Sequence, residues 1–237
     1  MTKTRLDQLM VMKGLVSSRS QAESWIGLGK VTVDGRPATK PGQFVQNNAD
    51  VRLTATEQYV SRAGLKLESV ADLLGVQFEG KTVLDVGSST GGFTDYALRR
   101  GAKKVIAVDV GTDQLHPRLR GDERIELHEK TDIRDFETDQ KIDLVVIDVS
   151  FISLREILPS VVRIAPHASV IAMVKPQFEA GREQVSKGVI KNDAIRRQIL
   201  RDFEAWSKQY FVIKGKRDSD VAGTKGNRER FYLLNIS

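Results

Sequence analysis

The sequence predicts an α/β protein, with a Rossmann-like, doubly wound sheet preceded by a small α+β module. Apolar runs alternate with helical segments throughout the region beyond Gly64. Several of those runs close on an aspartate, as buried parallel strands do when they present polar groups at their carboxyl ends. Before that region the periodicity passes from helical to alternating within one short block, which marks a separate unit.

In chain order, Leu6, Leu9, Met10 and Leu15 recur at helical spacing, and Ser18 with Ser20 offers an N-cap for a second helix carrying Ala22, Trp25 and Ile26. Lys30-Val31-Thr32-Val33 then runs into Asp34-Gly35, a pair suited to the left-handed positions of a tight hairpin. Val45 to Leu53 supplies further extended segments around a polar Asn47-Asn48 turn. These elements define a module at residues 1–55, a linker at 56–63 within the segment Thr54 to Gly64, and a larger domain at 64–237. There, a helix carrying Leu65, Leu67, Val70, Leu73 and Leu74 precedes a strand from Thr82 to Val86. A helix from Phe93 to Arg99 follows, then strands Val105 to Asp109 and Leu144 to Asp148, a helix from Leu154 to Ile164 and a strand from Ser169 to Val174. A helix over Ala194 to Tyr210 and strands Phe211 to Lys214 and Arg230 to Ile236 complete the alternation, which places a ligand at the carboxyl edge of the sheet.

Of 237 residues, 40% are hydrophobic and 29% charged, enough for one substantial core and a satellite. With 37 Lys and Arg against 31 Asp and Glu, the net charge of +6 favours encounter with polyanions such as nucleic acid. The absence of cysteine excludes disulfides, thiolate nucleophiles and cysteine zinc sites, and three histidines make a histidine-only metal site a poor expectation. No run reaches the roughly 20 apolar residues that span a bilayer, and the polar opening lacks signal-peptide character. The expectation is a cytoplasmic protein with no metal and no membrane partner.

Between the first strand and its helix lies the loop Asp85-Val86-Gly87-Ser88-Ser89-Thr90-Gly91-Gly92-Phe93. Its glycines allow a sharp turn and close backbone approach to a ligand, although a plain strand-to-helix turn uses glycine in the same way. Asp109, one strand later, stands where an acid accepts from ribose hydroxyls, and Asp132 where an adenine-contacting acid would come. Asp132 reads equally well as an exposed loop carboxylate. No Gly-Lys-Ser/Thr phosphate grip is present, and Asp85 suits a cationic methionine moiety better than a pyrophosphate. Asp148 and Lys175 each follow a buried run, so both emerge at the same edge, and Pro176 fixes the backbone after Lys175. A lysine so placed can serve as a base when desolvation or a nearby cation lowers its pKa, whereas adjacent carboxylates favour its charged form.

Four segments carry a family resemblance: Tyr59-Val60-Ser61-Arg62-Ala63-Gly64-Leu65-Lys66-Leu67, the glycine loop, Val146-Ile147-Asp148-Val149-Ser150-Phe151-Ile152-Ser153, and Val174-Lys175-Pro176-Gln177-Phe178-Glu179. Together they resemble the TlyA family of ribosomal RNA methyltransferases, also labelled haemolysin A. Its catalytic domain is similar to the FtsJ-type ribose 2′-O-methyltransferases and its N-terminal segment to the S4-type RNA-binding domain. The resemblance implies S-adenosyl-L-methionine as cofactor, held by the loop residues Asp85, Gly87, Ser88, Ser89, Thr90, Gly91, Gly92 and Phe93 with Asp109, Asp132 and Asp148. It also implies a catalytic set of Lys66, Asp148, Lys175 and Glu229. In that set Lys175 would be the central base or orienting group, Lys66 and Glu229 would position the ribose, and Asp148 would couple to the lysines. The loop departs from the FtsJ-type pattern at Ser88-Ser89-Thr90.

The S4-type pattern falls on Arg5-Leu6-Asp7, Ser17-Ser18-Arg19, Ala22, Ile26, Lys30-Val31 and Val33-Asp34-Gly35. Basic residues outnumber acids in this block, and Arg5, Lys13, Arg19, Lys30 and Arg36, with Arg62 beyond it, are the expected RNA contacts. The implied partner is ribosomal RNA within ribosomal subunits rather than DNA, which lacks the 2′-hydroxyl. Two basic segments, Lys214 to Arg217 and Lys225 to Arg230, are further candidates for holding RNA. Two other readings stay open at this stage: a membrane-active haemolysin, and a ribosome-assembly factor that binds RNA without catalysis.

Overall fold

The computed structural model describes residues 2–16, 18–27, 29–54, 59–185, 188–190, 192–221 and 226–237. Ser17, the side chain of Ser20, residues 55–58 of the expected linker and Lys225 lie outside the described residues.

The N-terminal module begins with a strand that the periodicity does not announce. β1 (Lys3–Arg5) pairs antiparallel with β4 (Phe44–Gln46). Between them run α1 (Leu6–Met12), α2 (Arg19–Gly27), β2 (Val31–Val33) and β3 (Arg36–Pro37), and β5 (Val51–Leu53) completes a sheet in the order β3-β2-β5. Ser18 accepts from Gln21 N through its side chain, so it caps α2 as its residue type favours. Asp34 and Gly35 take φ values of 49° and 77°, the paired positive values that a tight β2–β3 turn requires. Leu6, Met10, Trp25 and Ile26 are buried between the helices and the sheet.

The larger domain opens with α3 (Arg62–Ala71), which starts inside the segment expected to be linker. Ser61 caps it by accepting from Ala63 N, and Tyr59 just before it is buried with its ring 5.6 Å from that of Tyr96. The aromatic anchor explains the difference, because one buried tyrosine fixes a stretch that otherwise lacks core residues. α3 also ends earlier than its apolar pattern suggests, leaving Leu73 exposed after the last turn.

Then follow β6 (Thr82–Val86), α4 (Gly92–Arg99), β7 (Lys104–Val108), β8 (Ile125–His128), β9 (Leu144–Ile147), α5 (Leu154–Ile164), β10 (Ser169–Val174), α6 (Pro176–Glu179), α7 (Asp193–Ser207), β11 (Phe211–Asp218) and β12 (Arg230–Ile236). Seven strands form one sheet in the order β11-β12-β10-β9-β6-β7-β8. β8, β7, β6, β9 and β10 are mutually parallel, whereas β12 runs antiparallel between β10 and β11. β8 is an addition to the expected strands: Ile-Glu-Leu-His is short and polar, and it sits at an edge where only part of each side chain is covered.

The alternation of side chains divides the core into two layers. Val83, Val105, Val146 and Met173 face the layer that holds Leu65, Val70 and Tyr96 from α3 and α4, and the module's core joins this layer. Leu84, Ile106, Val145 and Val170 face the other, with Leu158, Val161, Leu200 and Phe203 from α5 and α7. Each fully buried aliphatic side chain contributes on the order of 2 kcal/mol relative to exposure, so these strands hold the sheet edge rigidly under the site.

Candidate active site

The sheet register brings four charged residues together from distant parts of the chain. Val174 of β10 pairs with Arg230 of β12, so Lys175 and Glu229 come next to each other just past the last rung. β9 lies parallel beside β10, and its chain leaves the sheet at Asp148. Lys175 Nζ sits 2.6 Å from Asp148 Oδ1 and donates to Ser150 Oγ at 2.7 Å. Lys66, on α3, places its Nζ 2.5 Å from Glu229 Oε2. All four side chains are largely buried, and burial of paired charges is tolerated only where each is matched, as here.

Lys66 and Asp148 open onto one cleft of about 350 Å³, whose walls also include Asp85, Ser88, Ser89, Thr90 and Phe93. Ser18 and Gln21 of the N-terminal module line it as well, so the module forms one wall. Asp85 is fully buried; its Oδ2 accepts from Thr94 Oγ1 at 2.6 Å, while its Oδ1 has no hydrogen-bond partner among the described residues. Burial, offset in part by the Thr94 bond and assisted by the charges of Asp148 and Asp109, pushes the Asp85 carboxyl up to about 7. Ser88 Oγ is likewise buried without a hydrogen-bond partner among the described residues.

Gly87 explains how the loop fits. Its φ is 80°, and a Cβ there would lie 2.8 Å from the backbone oxygen of Asp148. Gly91 and Gly92 start α4 beneath the first turn of α3, where a Cβ on Gly92 would overlap Ser61 Oγ. Leu115 and Leu119, from the segment after β7, cover Gly91 on its other side.

A second cleft of about 430 Å³ adjoins the first through Gly87, Ser89 and Asp148. Val86, Val108, Ile133 and Ile157 give it apolar walls, and Asp109 and Asp132 supply carboxylates. Asp109 accepts from Ser89 N at 2.8 Å and from Gly111 N at 2.7 Å, so it also ties the glycine loop to the next strand. Asp132 is engaged by Arg134 through both oxygens, and these bonds hold its carboxyl below the usual range. Gln114, which no sequence pattern singles out, lines this cleft and accepts from Ser89 Oγ at 3.1 Å. Phe151 stands at its rim, 91% exposed at φ 66°, with its ring 5.2 Å from that of Phe178.

The expected RNA contacts are distributed more widely. Arg5 and Arg19 both donate to Asp7, a wholly buried acid, and the Arg5 bond in particular holds its carboxyl down at about 2. Lys13 Nζ donates to Ala49 O at 2.9 Å. Lys30 and Arg36 are exposed around the β2–β3 hairpin, whereas Arg62 lines the first cleft. In the basic stretch of β11, Lys216 is paired with Glu204, while Lys214 and Arg217 stand exposed. No helix among the described residues is long and apolar enough to cross a membrane.

Comparison with known proteins assigns a family to each part of the chain. Residues 4–51 match the S4 domain and residues 59–236 the FtsJ-like methyltransferase domain. A Mycobacterium tuberculosis protein named 16S/23S rRNA (cytidine-2'-O)-methyltransferase TlyA is 38% identical over 240 residues, covering 98% of this chain and 90% of the relative. A Bacillus subtilis protein, YqxC, provisionally named an rRNA methyltransferase, is 41% identical over 244 residues, covering 99% and 85%. A solved structure from Streptococcus thermophilus, provisionally named a hemolysin, superposes with a TM-score of 0.74 at 39% identity and covers 100% of this chain and 90% of that one. With the methyltransferase match spanning most of its length and an S4 domain ahead of it, the chain belongs to the FtsJ-like methyltransferase family, in its TlyA branch.

Proposed function

We propose that this protein transfers a methyl group from S-adenosyl-L-methionine to the 2′-hydroxyl of a cytidine in ribosomal RNA, acting in the cytoplasm on ribosomal subunits. The observation that carries the reading is the convergence of the Lys66–Glu229 and Asp148–Lys175 pairs on the cleft formed by the glycine loop. The names of the relatives support the substrate class.

The residues present fit the cofactor. Asp85 offers a buried carboxylate oxygen, unpartnered among the described residues, to a cationic amino-acid moiety, with Ser88 Oγ on the same wall. The second cleft offers apolar walls to an adenine and the Asp109 and Asp132 carboxylates to ribose and base donors. S-adenosyl-L-methionine supplies an electrophilic methyl group. The chain's own contribution is to hold the acceptor hydroxyl in line with that group, which accounts for most of the acceleration such a transfer needs. Lys66 and Glu229 position the ribose, and their mutual contact fixes both side chains before RNA arrives. The Asp148–Lys175 pair lies at the same sheet edge, where it orients the acceptor hydroxyl and offers the Asp148 carboxylate to its proton. Arg5, Lys13, Arg19, Lys30, Arg36 and Arg62 contact RNA phosphates, and the larger domain begins at Tyr59, ahead of α3, rather than at residue 64.

The test is transfer of labelled methyl to purified ribosomal subunits, with the product mapped to base or ribose. Ribose methylation that falls by at least about a hundredfold in Lys175→Ala, in line with loss of a proton-handling group, is the expected result. Methylation on the base, or an undiminished rate in the variant, would overturn the assignment.

A further inference from the structure

The outward face of the β1–β4 ribbon takes no part in the chemistry of the cleft. Its register sets Arg5 directly opposite Phe44 and Lys3 opposite Gln46. Opposed residues of an antiparallel pair share a face, as do residues two apart along a strand, so these four side chains project from one side. Thr4 and Val45 occupy the other side, where Val45 packs against the core. Phe44 is 67% exposed.

A single exposed apolar residue is ordinary on a protein surface. This one is accompanied by cations that are held in place. Asp7 accepts from Arg5 Nε at 3.0 Å and from a terminal Arg5 nitrogen at 2.8 Å, and from Arg19 at 3.0 Å. One buried acid thus fixes two guanidinium groups, one of them across the ribbon from the Phe44 ring. Gly42 lies alongside the first, in ordinary van der Waals reach of the Arg5 guanidinium. With Lys3, the face and its border carry three cations against two acids, the buried Asp7 and Glu23, whose charge also acts on Arg5.

We propose that this face is a stacking platform for an unpaired nucleotide of RNA, with the base on the Phe44 ring and the neighbouring phosphates at Lys3, Arg5 and Arg19. Splayed bases stack on aromatic rings irrespective of their identity, whereas a duplex keeps its bases stacked on each other. The positive border matches the charge of such a strand and keeps it in register with the ring. The inference rests on the RNA-binding reading of the N-terminal module, and its test is independent of methyl transfer.

The experiment measures binding of the full chain to a single-stranded oligoadenylate and to an RNA duplex of equal length over a range of salt. Phe44→Ala is expected to weaken oligoadenylate binding about tenfold, leave duplex binding unchanged and leave the salt slope unchanged, because no charge is removed. Phe44→Trp is expected to retain affinity and to show fluorescence quenching on addition of oligoadenylate that the native chain lacks. Unchanged oligoadenylate affinity in Phe44→Ala, the result if this face docks a protein instead, overturns the proposal. Equal losses on both RNAs, or an unquenched Phe44→Trp, overturn it too. If these results hold while ribosomal RNA receives no methyl group, the platform stands and the catalytic reading falls.

Discussion

Asp85 shows how one buried side chain sets up a measurable property. Its pKa is raised to about 7, so between the ordinary carboxylate range and pH 7 the folded chain binds a proton that the unfolded chain does not. The associated stability is fully present below about pH 4 and is lost as pH rises through 7. Without cofactor, Asp85→Asn should therefore lose less stability than the native chain between pH 4 and 8, the gap reaching a few kcal/mol in denaturant titrations, at roughly 1.4 kcal/mol per pH unit. A cation bound at the free Asp85 oxygen favours the carboxylate, so cofactor binding near pH 7 should release protons, and calorimetry in buffers of different ionisation heat should detect them. Identical pH profiles for native chain and variant would refute this. At this scale the sequence is informative where a polar residue ends an apolar run, which is why Asp148 and Lys175 can be found by pattern. Lys66 and Glu229 have no such signal, since one lies on a helix and the other before a strand in a charged stretch, and only the motif resemblance points to them. Thr94, Ser150 and Gln114 are invisible to pattern because their partners are set by how loops fold back.

At the scale of elements, the close approach of α3 and α4 decides whether Lys66 reaches the cleft. A Cβ on Gly64 would lie 2.5 Å from Cγ of Tyr59 and 3.0 Å from Gly92 O. Gly64→Ala should thus destabilise the chain by about 1–3 kcal/mol through overpacking. In a chain of this length that lowers the melting temperature by several degrees, and calorimetry reads it directly. Methyl transfer should fall further than stability alone accounts for, because displaced α3 carries Lys66 with it; full activity at unchanged melting temperature would show that the approach is not tight. The strands that escape the periodicity, β1 and β8, are short and only partly covered, so neither carries the apolar alternation by which β6, β7, β9 and β10 are recognised. Likewise the stretch before α3 is poor in core residues and so resembles a linker, but Tyr59 against Tyr96 is sufficient to dock it.

Across the whole molecule, charge rather than shape governs long-range behaviour. Lys214 and Arg217 lie exposed on β11, the outer strand of the sheet. If they hold RNA phosphates, reversing both charges should weaken RNA binding and lower the slope of log affinity against log salt by about 0.7–0.9 for each phosphate no longer neutralised. An unaltered slope would remove this strand from the RNA footprint. The fold class is legible because buried parallel strands separated by helices have few alternatives, whereas the antiparallel insertion of β12 between β10 and β11 is decided by tertiary pairing that no local pattern encodes. Biosynthesis inherits a constraint from that insertion. The Lys66–Glu229 pair closes only when a residue made early meets one made late, and the late one is delivered by the final strand of the sheet in chain order. A nascent chain still lacking β12 can already display its S4 domain and glycine loop, yet it lacks the Lys66–Glu229 pair. If that pair positions the ribose, as proposed, ribosome-bound fragments that lack β12 should transfer no methyl group, and the topology holds the activity in reserve until synthesis reaches the last strand.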